Sequence, residues 1–222
     1  RLALYREACA APKADPILHR QYAEELLADA REQGEAERLA LLAHRARPTD
    51  APTLALMARL AWNAGRREEA LELYRCASCL ADKDEWLAQA YFYAARTFHR
   101  EDEPLALMRE RARRDGSLSS APARTLHAAL ATLSRSAEAQ EVLDDALRRR
   151  PADGDLLLYA AEADVAAGEF DRASARLEEA RPHCRRGDWR RRAATCAARW
   201  NSGATSCGPS PRRSTPSAPR PG

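Results

Sequence analysis

Residues 51–84 read APTLALMARLAWNAGRREEALELYRCASCLADKD, and the order of residue types in that stretch decides the fold. Up to Ala64 the stretch is mostly apolar, as in a helix that packs on several sides. Gly65 interrupts it. Beyond Gly65, Ala70, Leu71, Tyr74 and Ala77 gather on one face of a second helix and charged residues fill the other. An apolar helix, a turn and an amphipathic helix together form an antiparallel hairpin.

The plan recurs at 154–187, where LLLYAAEADVAAG runs into EFDRASARLEEAR. Counted from Ala51, the turn Gly, first small residue, large residue and second small residue are Gly65, Ala70, Tyr74 and Ala77; counted from Gly154 they are Gly168, Ala173, Leu177 and Ala180. A copy from Ser120 supplies Ala139, Leu143, Ala146 and the stop at Pro151. One from Ile17 supplies Ala36, Ala43 and Pro48, with its Gly34 three places late. The copy from Glu85 departs most, with Pro104 in a small-residue place and Met108 in the aromatic place. The starts at 17, 51, 85, 120 and 154 are separated by 34, 34, 35 and 34 residues. A constant period of this length marks stacked supersecondary units, each burying its apolar face against the next.

With small residues where two helices touch and a large one between repeats, the pattern resembles the tetratricopeptide repeat family. The resemblance implies an all-α fold, an α-solenoid of about five antiparallel helix hairpins wound as a right-handed superhelix. Residues 1–16 would hold the helix of a preceding incomplete repeat, 17–187 the solenoid and 188–222 a separate tail. In this family the first helix of each hairpin lines the concave face. Carried over residue by residue, the inward-facing places are Gln21 and Glu25, then Arg59, Trp62 and Asn63, then Gln89, Tyr93 and Arg96, then Arg124, and finally Glu162. Three guanidinium groups beside aromatic rings and amides suit an acidic peptide, whose carboxylates Arg grips in bidentate fashion. A solvated concave wall is the plainer reading of the same residues. The set departs from the Lys and Asn pattern with which some family members clamp a terminal carboxylate.

The 36 basic and 33 acidic residues are unevenly placed: seven Arg and no acid follow Asp188, leaving 29 against 33 before it, a net charge of −4. A weakly acidic repeat region argues against nucleic acid as its partner. No stretch is apolar and long enough for a signal peptide or a membrane span, so a membrane partner is not expected. The chain opens on Arg1, and a piece of a longer protein is expected. Cysteines at 9, 76, 79, 184, 196 and 207 lack the dense spacing of a secreted disulfide scaffold, which favours a reducing, cytoplasmic setting. From about Gly187 the composition turns to Arg, Pro and Ser. That tail is either natively disordered or out of frame. Read one base out of phase with GC-rich codons, Ala193 to Pro211 can yield GDLRRPLELRRDVLRAEP, which has the plan of a second helix.

Cys76 and Cys79 form a CxxC, but zinc needs four ligands and a redox pair normally opens a helix beside a strand. Packing cysteines are expected. His19, His44, His99 and His127 are scattered over different repeats and read as solvated or packed helix positions. There is no Gly-rich phosphate loop, HExxH or nucleophile elbow. The expected function is therefore a non-catalytic scaffold without cofactor or metal, holding a protein or peptide on its concave face. The alternative is the repeat region of a larger enzyme, such as a glycosyltransferase or peptidase, with its catalytic domain elsewhere.

Overall fold

The structure, a computed structural model, describes residues 1–11, 14–184, 189–191, 193–195 and 198. The two readings of the tail fall almost wholly outside them. Among the described residues there are helices and no strand: α1 (Leu2–Cys9), α2 (Pro16–Leu26), α3 (Gln33–Ala46), α4 (Ala51–Asn63), α5 (Arg67–Leu80), α6 (Glu85–Arg96), α7 (Asp102–Asp115), α8 (Ala121–Thr132), α9 (Ser136–Arg149), α10 (Gly154–Ala167) and α11 (Phe170–Ala180). A 3-10 turn at Ala30–Glu32 precedes α3. The chain divides into two compact units, Arg1–Ala146 and Leu147–Gly222. From α2 onward the helices pair as hairpins, and the fold class is all-α. No described helix is long and apolar enough to cross a membrane.

The turns inside the hairpins share one backbone device. Gly65 (φ 79°), His99 (φ 55°), Ser134 (φ 59°) and Gly168 (φ 81°) are left-handed. In each case the following amide donates to the carbonyl five residues back: Arg66 to Ala61 (2.9 Å), Arg100 to Ala95 (3.1 Å), Arg135 to Leu130 (3.0 Å) and Glu169 to Asp164 (2.9 Å). This bond satisfies a helix-end carbonyl that would otherwise lack a donor, and it needs the left-handed residue beneath it. Glycine takes that conformation without cost, whereas His and Ser carry a Cβ against the following carbonyl. His99 is therefore a turn residue, not a solvated or packed helix position. The first hairpin turns differently. Gly34 lies inside the first turn of α3, and the chain reverses over Leu27–Asp29, where the Asp29 carboxylate accepts from the Arg31 amide (2.9 Å).

The opposite ends of the hairpins repeat as well. Asp15, Asp50, Asp84 and Asp153 cap α2, α4, α6 and α10, accepting from the amides of Ile17 (2.9 Å), Thr53 (3.0 Å), Trp86 (2.9 Å) and Leu156 (3.0 Å). Ahead of α8, Ser119 Oγ takes that part for Ala121 (3.1 Å). A carboxylate here satisfies an orphan amide and sits at the positive end of the helix dipole, a contribution of about 1 kcal/mol per cap.

Small residues let the helices meet. In the first unit Ala36, Ala43, Ala70, Ala77 and Ala139 are buried, and in the second Ala173 and Ala180 are. The third hairpin breaks this rule twice. Pro104 occupies the first small place, and the second, held elsewhere by Ala77, Ala146 and Ala180, is Arg111, only 2% exposed. Its Nη2 donates to Glu85 Oε1 at 2.7 Å, while Arg111 Nε and Glu85 Oε2 are buried with no partner. With a proline ring and a guanidinium in the seam, α6 and α7 approach far less closely than α4 and α5 do. In the second unit a different buried charge is fully met: Asp164, 0% exposed, accepts from Arg172 Nε (2.7 Å) and Arg176 Nη1 (2.8 Å), binding α10 to α11.

Two stability outcomes are expected. His99→Gly and Ser134→Gly each raise the unfolding free energy measured by urea denaturation, by up to about 1 kcal/mol, whereas Gly65→Ala and Gly168→Ala lower it by a similar amount or more; the opposite signs would show that these turns are not strained. Glu85→Leu alone strands a buried guanidinium and costs about 3–5 kcal/mol, but Glu85→Leu with Arg111→Met recovers most of that loss. A double variant no better than the single one would contradict this account of the pair.

Candidate functional site

The exposed face of α6 is unlike the rest of its surroundings. Trp86, Gln89, Tyr93 and Arg96 follow at steps of three, four and three, which sets them on one stripe. All four are exposed, while Leu87, Ala88, Tyr91, Phe92, Ala94 and Ala95 are turned into the core. Trp86 and Tyr93 each leave 51% of their surface to solvent. Neither ring is loose. Tyr74, from α5, meets Trp86 edge-on with centroids 6.5 Å apart and planes at 71°. Phe92 does the same for Tyr93, at 5.4 Å and 66°. Burial raises the Tyr74 phenol above its ordinary value, and the charge of Arg59 on α4 opposes that shift.

Arg59 and Arg96, the Arg residues of α4 and α6, have no carboxylate within ion-pair distance among the described residues. Four cations on or near the second helices are engaged instead. Arg66 reaches Glu37 (3.1 Å), Arg75 reaches Glu103 (3.3 Å), Arg109 reaches Glu138 (3.0 Å) and Arg114 reaches Asp82 (2.8 Å). The first three of these bridges join successive hairpins, and Arg114 ties α7 to the turn before α6. Hydrogen bonds from Arg135, and then from Arg109, hold the Glu138 carboxyl below the usual range. Exposed pairs of this kind contribute at most about 1 kcal/mol each, so their effect is mainly to consume charge on that side of the first unit.

The residues carried over from the family pattern differ in exposure and in partners. Arg59, Gln89, Tyr93 and Arg96 are exposed, and all lie on α4 or α6. Trp62 is half-buried at the end of α4, packed toward Leu71 and Tyr74 and covered by the Arg67 guanidinium 5.7 Å from its ring centre. Asn63 opens toward the turn of the first hairpin, where it helps line a cavity of about 260 Å³ with Leu27, Asp29 and Gln33. Gln21 is half-buried, and Glu25 pairs with Arg1 at 3.1 Å. Arg124 is half-buried and already engaged, so it is not a free cation. Glu162, which lies on α10 of the second unit, is half-buried and already engaged. Trp86 and Tyr74 were missed. The spacing of Trp86 from Gln89, Tyr93 and Arg96 was the available signal for the first.

Cys76 and Cys79 are free and exposed, which overturns the expectation of packing cysteines. The buried face of α5 is formed by Ala70, Leu71, Tyr74, Ala77 and Ser78 instead. No group of three or more His, Cys, Asp or Glu side chains suited to a metal ion occurs among the described residues.

Hairpins of this kind, repeating every 34 or 35 residues about small-residue seams, define a helical-repeat protein. Residues 128–189 match the tetratricopeptide repeat family, and hairpins of the same plan run back to α2. No curated protein matches the chain. Among solved structures it is similar to YrrB, described as a TPR protein with an unusual peptide-binding site, at 14% identity over 81% of this chain and 92% of that one, with a TM-score of 0.49. It is similar also to TTC0263, a thermophilic TPR protein of Thermus thermophilus, at 18% identity over 82% and 99%, with the same TM-score of 0.49. At those levels neither structure bears on what this chain binds.

In the native protein Cys76 and Cys79 are expected to react with a thiol reagent about as fast as a free peptide thiol. Peptide mapping of the modified sites after a short pulse checks this, and protection of both until denaturation would return them to the core.

Proposed function

We propose that this chain is a non-catalytic interaction scaffold, and that it holds an extended, acid-bearing segment of another protein along the concave first-helix face of its first unit, between α4 and α6. One observation carries the reading. Arg59 on α4 and Arg96 on α6 have no carboxylate partner among the described residues, while Arg66, Arg75, Arg109 and Arg114 each pair with one. A guanidinium left without a partner beside aromatic surface is well placed to take a carboxylate from outside, and a charge-assisted, bidentate bond is the strongest single contact it can make. Trp86 and Tyr93 add rigid apolar area with little rotamer entropy to lose, the composition typical of binding hot spots.

A phage-displayed library of random 12-residue peptides, panned against the full chain, tests the proposal. Selected sequences are expected to be rich in Asp and Glu and to lose at least tenfold in affinity for Arg59→Glu/Arg96→Glu, with the circular dichroism unchanged. Selection of acid-free sequences, or equal binding by the double variant, would overturn it.

A further inference from the structure

We propose that Cys76 and Cys79 together bind a thiophilic, two-coordinate cation, Cu(I), as a bis-thiolate on the exposed face of α5. The site does not rest on the acid-binding reading, since neither cysteine lies on α4 or α6. Both thiols are free and exposed. Packing gives no reason for them, because Ala70, Leu71, Tyr74, Ala77 and Ser78 form the buried face of the helix. Cysteine is among the residue types most often found fully buried, so an exposed pair calls for another account. Three residues of α-helix rise about 4.5 Å and turn to within about 60° of the same azimuth, so both side chains leave one strip of the surface.

That spacing decides between the two things a thiol pair can do. Cβ atoms three residues apart on a helix stand about 5–6 Å from one another, whereas a disulfide needs them at about 3.5–4.5 Å. Closing one would distort the last turns of α5, where Ala77 and Ser78 are fully packed. A cation held between two thiolates spans twice a metal–sulfur bond of about 2.3 Å, which the side chains reach by choice of rotamer alone. The donors alongside then limit the coordination number. Glu72, a turn before Cys76, pairs with Arg75 at 3.1 Å, and Asp82, a turn beyond Cys79, pairs with Arg114 at 2.8 Å. No third His, Cys, Asp or Glu completes a metal-binding group with the two thiols among the described residues. Zinc requires four ligands and the hard divalent ions a shell of oxygens, while thiolates favour Cu(I), a d10 ion for which two ligands in line suffice. Leu80, 49% exposed and four residues beyond Cys76, gives the site an apolar flank. On binding, each thiol releases its proton to solvent and each sulfur takes one bond to the metal. No electron is transferred.

Anaerobic titration of the full chain, loaded with Cu(I) from its acetonitrile complex, against a chromogenic Cu(I) chelator tests the site. The unaltered chain is expected to keep one equivalent that Cys76→Ser and Cys79→Ser each release at a chelator concentration at least a hundredfold lower. Each single variant should behave as the double variant does, because one thiolate cannot hold the ion, and Cys9→Ser/Cys184→Ser should keep it. X-ray absorption at the copper edge should show two sulfur neighbours. Retention of that equivalent by either single variant, its loss in Cys9→Ser/Cys184→Ser, or three or more ligands on the metal would overturn the two-thiolate site. Ready closure of a Cys76–Cys79 disulfide in oxidised glutathione, with the helix content unchanged, would overturn its geometric premise.

Discussion

Everything in this fold depends on how closely two helices may approach where they cross. Ala at the two small places brings α4 against α5, and α10 against α11, near enough for the apolar faces to interlock. Neither helix of a hairpin could bury its face alone, and neither could a single hairpin, so stability accumulates by stacking. The left-handed turn residues and the Asp caps serve the same end. They stop each helix at a fixed length, satisfy the backbone groups left at its ends, and return the chain at an angle that keeps the small places in register.

The third hairpin shows what happens when that constraint is relaxed. Pro104 and Arg111 cannot sit in a seam shaped for Ala, and α6 stands away from α7. The Glu85 partnership keeps the guanidinium from being stranded, although two polar atoms remain unmet. This hairpin, packed less tightly than α4 with α5, is also the one whose first helix shows two large aromatic rings to solvent. Core packing and surface presentation thus depart from the common plan in the same copy.

Much of this was legible in the sequence, because a period of 34 or 35 residues with alanines at fixed places admits few readings. The helical class, the Gly65 and Gly168 turns and the buried alanines follow from residue type alone. His99 and Ser134 did not, since neither residue type announces positive φ; only their distance from Gly65 and Gly168 does. Arg111 was hidden for a related reason: a lone basic residue on a helix reads as solvated unless aligned with Ala77, Ala146 and Ala180. At the candidate site, exposure of Gln89, Tyr93 and Arg96 could be inferred from helical spacing. The partial burial of Trp62 and the engagement of Arg124 depend on neighbours distant in the chain. Cys76 and Cys79 show the reverse error, in which a residue type usually found inside lies on the charged face of α5.

The proposed function rests on a contrast within one unit: carboxylates neutralise Arg66, Arg75, Arg109 and Arg114, while among the described residues Arg59 and Arg96 of the first helices have no such partner and the rings of Trp86 and Tyr93 stand open. The most direct test is to place a diazirine in an acid-bearing peptide, irradiate it with the full chain and map the attached residues by mass spectrometry. Attachment concentrated on residues 59–63 and 86–96 is the predicted result. Attachment to the outward faces of α3, α5 and α7, with α4 and α6 unmarked, would contradict the account.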